Sequence, residues 1–472
     1  MTVVGIDDTD SQTAGMCTTF AAHRIAARLR RENGTPGGGD GESPVRRVLL
    51  VRLNPAVEFK TRGNAALAVH THVGAETALQ VARSVVDGGA HHGSPDTNPG
   101  VVVAPGAPLD LPAETGRFAR RAVDDLLRLD EARDLIAEAG FAHESWGSGR
   151  GLVGALAAVG AWQGRGPEAD WTYERIAYRE PARRGTAREV DRESVFRAAD
   201  RAYPTAWDTV DRETRETVCV PHTPGPVLFG IRGDTSGVVR DVAAGIDSEP
   251  VASAETFVTN QGTDDHLRPV TPPETEDDRS YRLSGVVVGP PATREGGHVF
   301  FTVADPETAP AEGEGSTGDE PGRGGATPRT VARWALDVDG GALPERARLP
   351  CVAFEPTGRF RERVRGLRAG DRVTVCGEVS EGTLKTEKFA LRSRRVFALA
   401  VPDCPDCGRS MESAGSEQGY RCRDCATTAP AREKRPIERM ERGWYEVPPT
   451  ARRHVAKPLA RGGFDAPTHP ER

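Results

Sequence analysis

Apolar and polar positions alternate along the first half of the chain in blocks that predict both strands and helices. Residues 2–6 form a short apolar run typical of a strand, and the segment 16–31 places its apolar residues on one helical face. Apolar strands are predicted near 47–53 and 65–71, and an apolar helical stretch covers 152–162. This mixture of elements predicts an α/β or α+β architecture for the first half.

The second half is richer in predicted strands. Strands are predicted at 171–179 and 226–231, with a helix near 189–201 between them. The polar run 272–278 is typical of a linker. After it come five short strands that suit an OB-type barrel, with an acidic insertion between the second and the third. These strands are 282–288, 299–303, 347–354, 371–378 and 384–391.

Length and composition refine this picture. A chain of 472 residues is too long for one core, so two to four domains are expected. With 53 glycines and 36 prolines, long loops or insertions are expected beside the folded parts, and the Gly-rich segment 34–44 and the acidic segment 305–323 fit that description. The net charge is −7, but residues 431–472 carry more basic than acidic groups and predict a basic C-terminal tail. A globally acidic chain can therefore still present a basic face to RNA.

The sequence also indicates a compartment. No apolar run approaches the ~18 residues that a membrane helix needs, and the N-terminus lacks the basic start and cleavage site of a signal peptide. We therefore expect a cytoplasmic protein with no membrane contact. Eight cysteines in that compartment argue against a disulfide framework.

Four of the cysteines form the sharpest local signal in the chain. Cys404 and Cys407 make one C-x-x-C knuckle, Cys422 and Cys425 make a second, and fourteen residues separate the two. This spacing brings four thiolates into a tetrahedron, which is the closed geometry of structural zinc. Zinc supplies roughly 10–16 kcal/mol to such small modules, so this ribbon should not fold without metal. A purely structural ribbon is the plain alternative to one that contacts nucleic acid.

A second signal is the acidic loop at the end of the first strand. Asp7, Asp8 and Asp10 lie within four residues, where buried carboxylates would repel each other unless a divalent cation were bound. The helix that follows has Thr18 in its first turn, and the free backbone N–H groups there attract phosphate. Together these features predict magnesium-dependent phosphoryl transfer. The alternative is an acidic turn that only caps the helix.

Weaker signals remain open between function and structure. The glycine loop 147–151 precedes a helix as a phosphate loop would, but it lacks the Lys-Ser/Thr of a Walker loop. The polar clusters 60–64 and 229–233 are also compatible with structural turns. Cys17 has no identifiable base beside it, so we interpret it as a packing residue.

Taken together, these motifs resemble one family, the archaeal tRNA 2-agmatinylcytidine synthetases. The resemblance extends over nearly the whole chain, apart from the Gly-rich and acidic insertions. The segments that carry it are Gly5–Ser11, Gly15–Thr19, Lys60–Asn64, Gly149–Leu152, Phe229–Gly233, Thr259–Asp264 and the four-cysteine ribbon.

The resemblance implies a multidomain α+β fold. Its parts would be an α/β kinase-like ATP-binding domain, a ferredoxin-like domain, an OB-fold barrel, a zinc ribbon and a basic tail. Their expected boundaries are 1–168, 169–272, 280–400, 401–430 and 431–472.

The resemblance also implies a reaction. ATP would phosphorylate the C2 carbonyl oxygen of the wobble cytidine in the CAU-anticodon isoleucine tRNA, and agmatine would displace that phosphate, leaving AMP and phosphate. The modified tRNA would read AUA. The implied cofactors are ATP, Mg²⁺ and Zn²⁺, the partners are tRNA and agmatine, and no obligate protein partner is expected. Asp7, Asp8, Asp10 and Thr18 would be catalytic, with Asp7 and Asp8 on magnesium, and the nucleotide contacts would be Lys60, Arg62, Gly149, Arg150, Gly151 and Arg232.

Two other functions are compatible with parts of the sequence. A non-catalytic RNA-binding protein would account for the barrel and ribbon but would leave the segment 7–19 unexplained. A protein or small-molecule kinase would use the same acidic loop and leave the RNA-binding modules without a role. An Asp8 substitution separates these functions, because an RNA binder should keep its affinity.

Overall fold

A computed structural model gives the fold of residues 1–11, 16–32, 43–57, 63–90, 94, 96–305, 347–394, 396–415 and 418–472. Most of the Gly-rich segment and of the acidic segment lies outside these described residues, as do Lys60 and Arg62. The structure is a multidomain α+β assembly with several sheets. No helix in the described ranges is both long and apolar enough to cross a membrane.

The first half supplies five strands of a large sheet and five helices. The predicted strands and helices at 2–6, 16–31, 47–53, 65–71 and 152–162 are all confirmed, with bounds shifted by a few residues. The elements are β1 (Thr2–Asp7), α1 (Thr18–Glu32), β2 (Val45–Arg52), β3 (Ala65–Thr71), α2 (Ala75–Asp87), β4 (Gly100–Pro105), α3 (Ala113–Asp124), α4 (Leu129–Glu138), β5 (Ala142–Ser145) and α5 (Gly151–Arg165).

The next segment continues the same sheet. In the described part of the chain the strand order is β5-β4-β1-β3-β2-β9-β6-β8-β7, and only the β2–β9 pair is parallel. The sheet therefore passes without a break across residue 168, where the sequence predicts a domain boundary. The elements of this segment are β6 (Thr172–Arg179), α6 (Arg192–Ala202), β7 (Ala206–Trp207), β8 (Val227–Gly233), α7 (Ser236–Ala244) and β9 (Val251–Thr259).

Alternating side chains of the sheet build two cores. On β1, Val4 packs into the core under α1 and α2, whereas its neighbour Val3 packs into the core under α3, α4 and α5. Both side chains are fully buried. A strand covered on both faces reads as a continuous apolar run, which is why residues 2–6 show no alternation.

Five strands close into a barrel after the linker. β11 pairs with β12, β12 with β13, β13 with β15, β15 with β14, and β14 returns to β11. All five predicted strands are confirmed. The elements here are β10 (Leu267–Pro269), β11 (Arg279–Thr293), β12 (Val299–Ala304), β13 (Arg348–Ala353), α8 (Arg359–Arg365), β14 (Arg372–Ser380) and β15 (Thr383–Ser393).

The segment 431–472, predicted as a basic tail, is folded onto the barrel over much of its length. Its strand β21 pairs with β15, and Trp444 and Leu459 are almost fully buried. Trp444 therefore packs, and it offers no surface for stacking on a base. The segment folds because it carries enough apolar side chains to pack against the barrel. Its net charge alone gave no sign of this packing. The last elements are β16 (Phe397–Ala400), β17 (Glu412–Ser413), β18 (Tyr420–Arg421), β19 (Thr428–Ala429), β20 (Glu433–Pro436), β21 (Gly443–Glu446) and β22 (Thr468–His469).

Candidate active site and metal centre

The acidic loop leaves the centre of the large sheet, where β1 ends between β3 and β4. Asp8 has a left-handed backbone (φ 57°), which turns the chain sharply after Asp7. The Asp8 amide donates to Asp7 Oδ1 at 2.7 Å, and the Asn98 amide donates to Asp8 Oδ2 at 3.1 Å. Thr9 Oγ1 donates to Thr18 Oγ1 at 3.2 Å, which ties the loop to the start of α1. The loop is therefore held in place by these bonds.

Small residues allow α5 to lie directly against β1. A Cβ added to Gly5 would stand 2.1 Å from the Ala155 carbonyl oxygen, and one added to Gly154 would stand 1.9 Å from Asp7 Oδ2. These distances leave no room for any side chain. As a result, the N-terminus of α5 at Gly151 and the N-terminus of α1 at Thr18 both border the acidic loop. Helix N-termini carry positive potential and free N–H groups, so the two ends favour a bound anion.

Burial makes two carboxylates of the acidic loop harder to ionise. Burial and the neighbouring Asp8 charge raise the pKa of Asp7 well above its ordinary value. Burial also raises the pKa of Asp8 to about 6, although the Asn98 amide and Arg150 lower it. Ionised carboxylates are therefore costly here until a positive charge arrives. The donor set is all oxygen, which fits Mg²⁺ bound by one or two carboxylates and phosphate oxygens.

Six of the ten residues predicted for catalysis and nucleotide binding share one cavity of about 290 Å³. Asp7, Asp8 and Asp10 line it together with Thr18, Cys17 and Thr19, as well as Arg150 and Gly151 from the start of α5. Burial raises the pKa of the Cys17 thiol, in agreement with its interpretation as a packing residue. Leu53, Val57 and Leu67 add apolar surface to the lining. A cavity with carboxylates, helix N-termini and apolar walls suits a nucleotide.

Two predicted residues stand apart from the cavity lining. Gly149 has φ +77° and lies against Arg133 and Ser145, where it shapes the turn before α5. Arg232 lies on β8 behind the cavity wall, with its Nη2 3.4 Å from His454 Nε2. Lys60 and Arg62 belong to the residues that the structure does not describe, so their predicted roles stay predictions.

Among the lining residues that sequence reasoning missed, two carry basic side chains, Arg52 and His454. Arg52 is the last residue of β2, and burial lowers the pKa of its guanidinium to about 10, which still leaves it charged near neutral pH. His454 comes from the folded C-terminal segment and is exposed to the cavity. A charged residue at the end of an apolar strand is a weak signal that was available for Arg52. No local signal marks His454, since only the fold brings residue 454 to the first strand.

Behind these residues lies a network of buried charges. Arg232 Nη1 is 3.4 Å from Asp208 Oδ2 and its Nε is 3.8 Å from Glu174 Oε1. Gln261 Nε2 donates to the other Glu174 oxygen at 2.6 Å. Arg452 pairs with Asp208 from the C-terminal segment. The network joins β6, β8 and the C-terminal segment, and it fixes the wall of the cavity that carries His454.

The four cysteines of the ribbon form the predicted metal centre. One ligand atom from each of Cys404, Cys407, Cys422 and Cys425 lies within 4.8 Å of all the others. The two knuckles are built alike: the Gly408 amide donates to the Cys404 carbonyl at 2.8 Å, and the Ala426 amide donates to the Cys422 carbonyl at 3.1 Å. Four sulfur ligands in a closed cluster fit structural zinc.

Comparison with known families gives three matches along the chain. The family model described as the TiaS TCKD domain matches residues 3–85, that of the TiaS FLD domain matches 149–266, and that of the TiaS C-terminal zinc ribbon domain matches 401–440. The last of these contains the four clustered cysteines.

Full-length relatives agree with these matches. A protein of Haloquadratum walsbyi, named as the 2-agmatinylcytidine synthetase TiaS of the second isoleucine tRNA, is 48% identical and covers 100% of both chains. The protein of the same name from Methanosarcina mazei is 40% identical over 97% of each. Among solved structures, a complex of TiaS with that tRNA and ATP matches with TM-score 0.81 and 37% identity over 100% of this chain and 99% of that one. A complex of TiaS with the same tRNA, AMPCPP and agmatine matches with TM-score 0.78 and 35% identity over 100% and 99%.

Proposed function

The chain belongs to the TiaS family of tRNA 2-agmatinylcytidine synthetases, and from this premise we propose that it uses ATP to conjugate agmatine to a cytidine of the second isoleucine tRNA. The observation that carries the proposal at the level of the site is the single cavity in which Asp7, Asp8 and Asp10 meet the N-termini of α1 and α5. The modified nucleoside is the wobble cytidine of the CAU anticodon, and the product reads AUA.

The chemistry has two steps. In the first, a phosphoryl group passes from ATP to the C2 carbonyl oxygen of cytidine. In the second, the agmatine amine forms a bond to C2, the C2–O bond breaks, phosphate leaves with both electrons of that bond, and the amine gives up a proton. The phosphoryl group makes the oxygen a good leaving group, which a carbonyl oxygen is not. Transfer of one phosphoryl group alone would leave ADP. The AMP that the family resemblance implies therefore requires that water also cleaves the second phosphoanhydride bond, which releases a second phosphate.

The residues of the cavity have distinct roles in this proposal. Asp7 and Asp8 would hold Mg²⁺, which would neutralise the phosphate charge, and Asp10 completes the acidic loop. The amides at the start of α1 and α5 receive phosphate oxygens, and Arg150 adds a positive charge beside them. Thr18, whose hydroxyl accepts from Thr9 and which lines the cavity, is the candidate for phosphorylation within the protein. Lys60, Arg62, Gly149 and Arg232 are further candidates for nucleotide contacts or for shaping the site.

The remaining domains bind the tRNA. The order β6-α6-β7-β8-α7-β9 with strand order β9-β6-β8-β7 supports a ferredoxin-like domain. The five-stranded ring supports an OB fold, and the acidic-loop domain supports the kinase-like assignment. The OB fold and the zinc ribbon bind the tRNA. The cytidine unstacks from its neighbouring bases to enter the cavity. A non-catalytic RNA-binding protein would have no use for the buried acidic loop, so this alternative is not favoured.

The test is direct. Purified protein is incubated with ATP, Mg²⁺, agmatine and the CAU-anticodon isoleucine tRNA transcript, and the digested nucleosides are analysed by mass spectrometry. We expect a cytidine heavier by agmatine minus water. The product should be absent with Asp8→Ala and present with Asp110→Ala, which removes an exposed carboxylate away from the cavity. Tight tRNA binding without modified nucleoside or AMP would instead favour the RNA-binding alternative.

A further inference from the structure

Part of the cavity wall is built from two basic side chains, Arg52 and His454. Arg52 and His454 line the cavity, and Arg232 lies directly behind His454. Among the described residues, the buried Nε of Arg52 has no hydrogen-bond partner, whereas the Nε of Arg232 faces Glu174 Oε1 at 3.8 Å. An unpaired buried donor is costly, so the Arg52 guanidinium at the cavity wall is a candidate contact for an oxygen-rich ligand.

The contact with Arg232 determines which nitrogen of His454 carries the proton. A guanidinium can only donate, so His454 Nε2, 3.4 Å from Arg232 Nη2, is the acceptor of that contact. A neutral imidazole with an accepting Nε2 carries its proton on Nδ1. Although the His454 side chain is accessible from the cavity, desolvation by the surrounding protein and the nearby charges of Arg232 and Arg52 lower its pKa well below the ordinary value, which keeps the ring neutral. His454 is therefore an uncharged donor through Nδ1.

The backbone around His454 is fixed independently of its side chain. The Gly262 amide donates to the His454 carbonyl at 2.8 Å, and the Thr263 and Asp264 amides both donate to the Val455 carbonyl at 3.0 Å. The Lys457 amide donates to Asp264 Oδ1 at 2.6 Å. Replacing the imidazole should therefore leave this segment in place, and the side chain is available for a role in the cavity.

We propose that Arg52 and His454 bind the oxygens of the phosphoryl group on the reacting cytidine, and that Arg232 is a positioning residue that orients the imidazole. The inference rests on the proposed function, since it requires a phosphorylated cytidine in this cavity. Arg52 Nε and His454 Nδ1 are both donors, so they suit phosphate oxygens and do not suit agmatine, which is itself a cation and a donor. The C-terminal segment thereby contributes a substrate contact to a cavity otherwise built from the first 155 residues.

The experiment compares His454→Ala, His454→Asn and Arg52→Ala with the natural protein in the nucleoside assay. Both alanine variants should lower kcat by roughly 10²-fold, the usual effect of removing one donor to a developing charge. The KM for agmatine should stay within about twofold, because the amine binds elsewhere. The asparagine amide can stand where Nδ1 stands, so His454→Asn should recover at least about tenfold of the loss. His143→Ala, at an exposed position on β5, is the matched control and should remain fully active.

Distinct outcomes overturn distinct ideas. Modified nucleoside formed equally well by His454→Ala and the natural protein would overturn the role of His454, and so would a His454→Asn variant no better than alanine. A raised KM for agmatine with unchanged kcat would mean that Arg52 or His454 binds agmatine, and it would overturn their assignment to the phosphoryl oxygens. Failure of the natural protein itself to modify tRNA would instead refute the proposed function. Unfolding temperatures and tRNA affinity, measured on every variant, separate these results from misfolding.

Discussion

Gly154 offers a sharp test of how closely α5 packs on the acidic loop. It lies inside a fifteen-residue helix, where alanine is ordinarily favoured over glycine by roughly 1 kcal/mol. Its missing side chain, however, would stand 1.9 Å from Asp7 Oδ2, and real Cβ atoms essentially never come closer than 3.0 Å to such a neighbour. Gly154→Ala must therefore move the carboxylate, the helix or both by about 1 Å.

The two effects on stability partly cancel. Overpacking a filled core costs about 1–3 kcal/mol, and the helix propensity returns roughly 1 kcal/mol, so the net loss is about 0–2 kcal/mol. The effect on catalysis has no such offset. A misplacement of about 1 Å in a group that positions reacting atoms can lower the rate by roughly 10²-fold. We therefore expect a folded protein with a small change in unfolding temperature and a large loss of product formation.

The matched control is Gly237→Ala near the start of α7. Its nearest neighbour would be Thr235 Oγ1 at 3.8 Å, an ordinary contact, so only the helix propensity should act. This variant should be fully active and slightly more stable, by up to about 1 kcal/mol. Thermal unfolding and the nucleoside assay are measured on both variants. A Gly154→Ala protein as active as the Gly237→Ala protein would refute the argument that α5 locks Asp7 in place.

Three further predictions concern the rest of the molecule. Lys388 is fully buried and donates to both oxygens of Asp264 at 2.7 and 2.8 Å, so Lys388→Met should destabilise the protein by about 3–5 kcal/mol in chemical unfolding, and an unchanged midpoint would contradict this. Burial raises the pKa of Glu387, but His266 and Lys388 outweigh it and hold the pKa at about 2. The stabilisation that the ionised Glu387 carboxylate provides is therefore complete above its unfolded pKa of 4.5 and is lost as pH falls through about 2. The loss of unfolding free energy caused by Glu387→Gln should therefore be smaller at about pH 3 than at about pH 6. An equal loss at both pH values would refute the ionised Glu387 carboxylate as the origin of the stabilisation. Cys404→Ser should lose zinc by elemental analysis and weaken tRNA binding, whereas ATP binding should persist; full zinc content would show that the ligand set is different.

Much of the fold follows from local patterns in the sequence. The apolar run at 2–6 and the helical face at 16–31 fix β1 and α1, and the acidic loop between them was expected at the end of a strand. All four predicted catalytic residues, Asp7, Asp8, Asp10 and Thr18, line one cavity because they belong to a single strand–loop–helix unit. The cysteine spacing likewise determines its own cluster, since four ligands at that spacing have few other arrangements. The residues of a site could be predicted from the sequence wherever they lie close together along the chain.

The rest depended on contacts between distant segments. The parallel pairing of β2 with β9, at Leu49 and Val258, joins two parts of the sheet that the sequence suggests are separate domains. Nothing in either strand specifies that partner, because backbone pairing is the same for any apolar strand. The C-terminal segment was predicted to be a basic tail because of its charge. Its position against the barrel is instead determined by the burial of Trp444 and Leu459. His454 reaches the cavity only as a consequence of that packing, so no local rule predicts it.

The position of His454 in the cavity has a consequence for the order of protein synthesis. At about 5–20 residues per second, a ribosome needs roughly 20 to 90 seconds to reach residue 454, long after the acidic loop has left the exit tunnel. Throughout that interval the emerging chain has the loop but lacks one side of the cavity around it. A chain made only as far as β9 therefore contains every residue of the core under α1 and α2, yet it lacks a complete substrate cavity. Translation itself thus delays the capacity to modify tRNA until nearly all of the protein has been made.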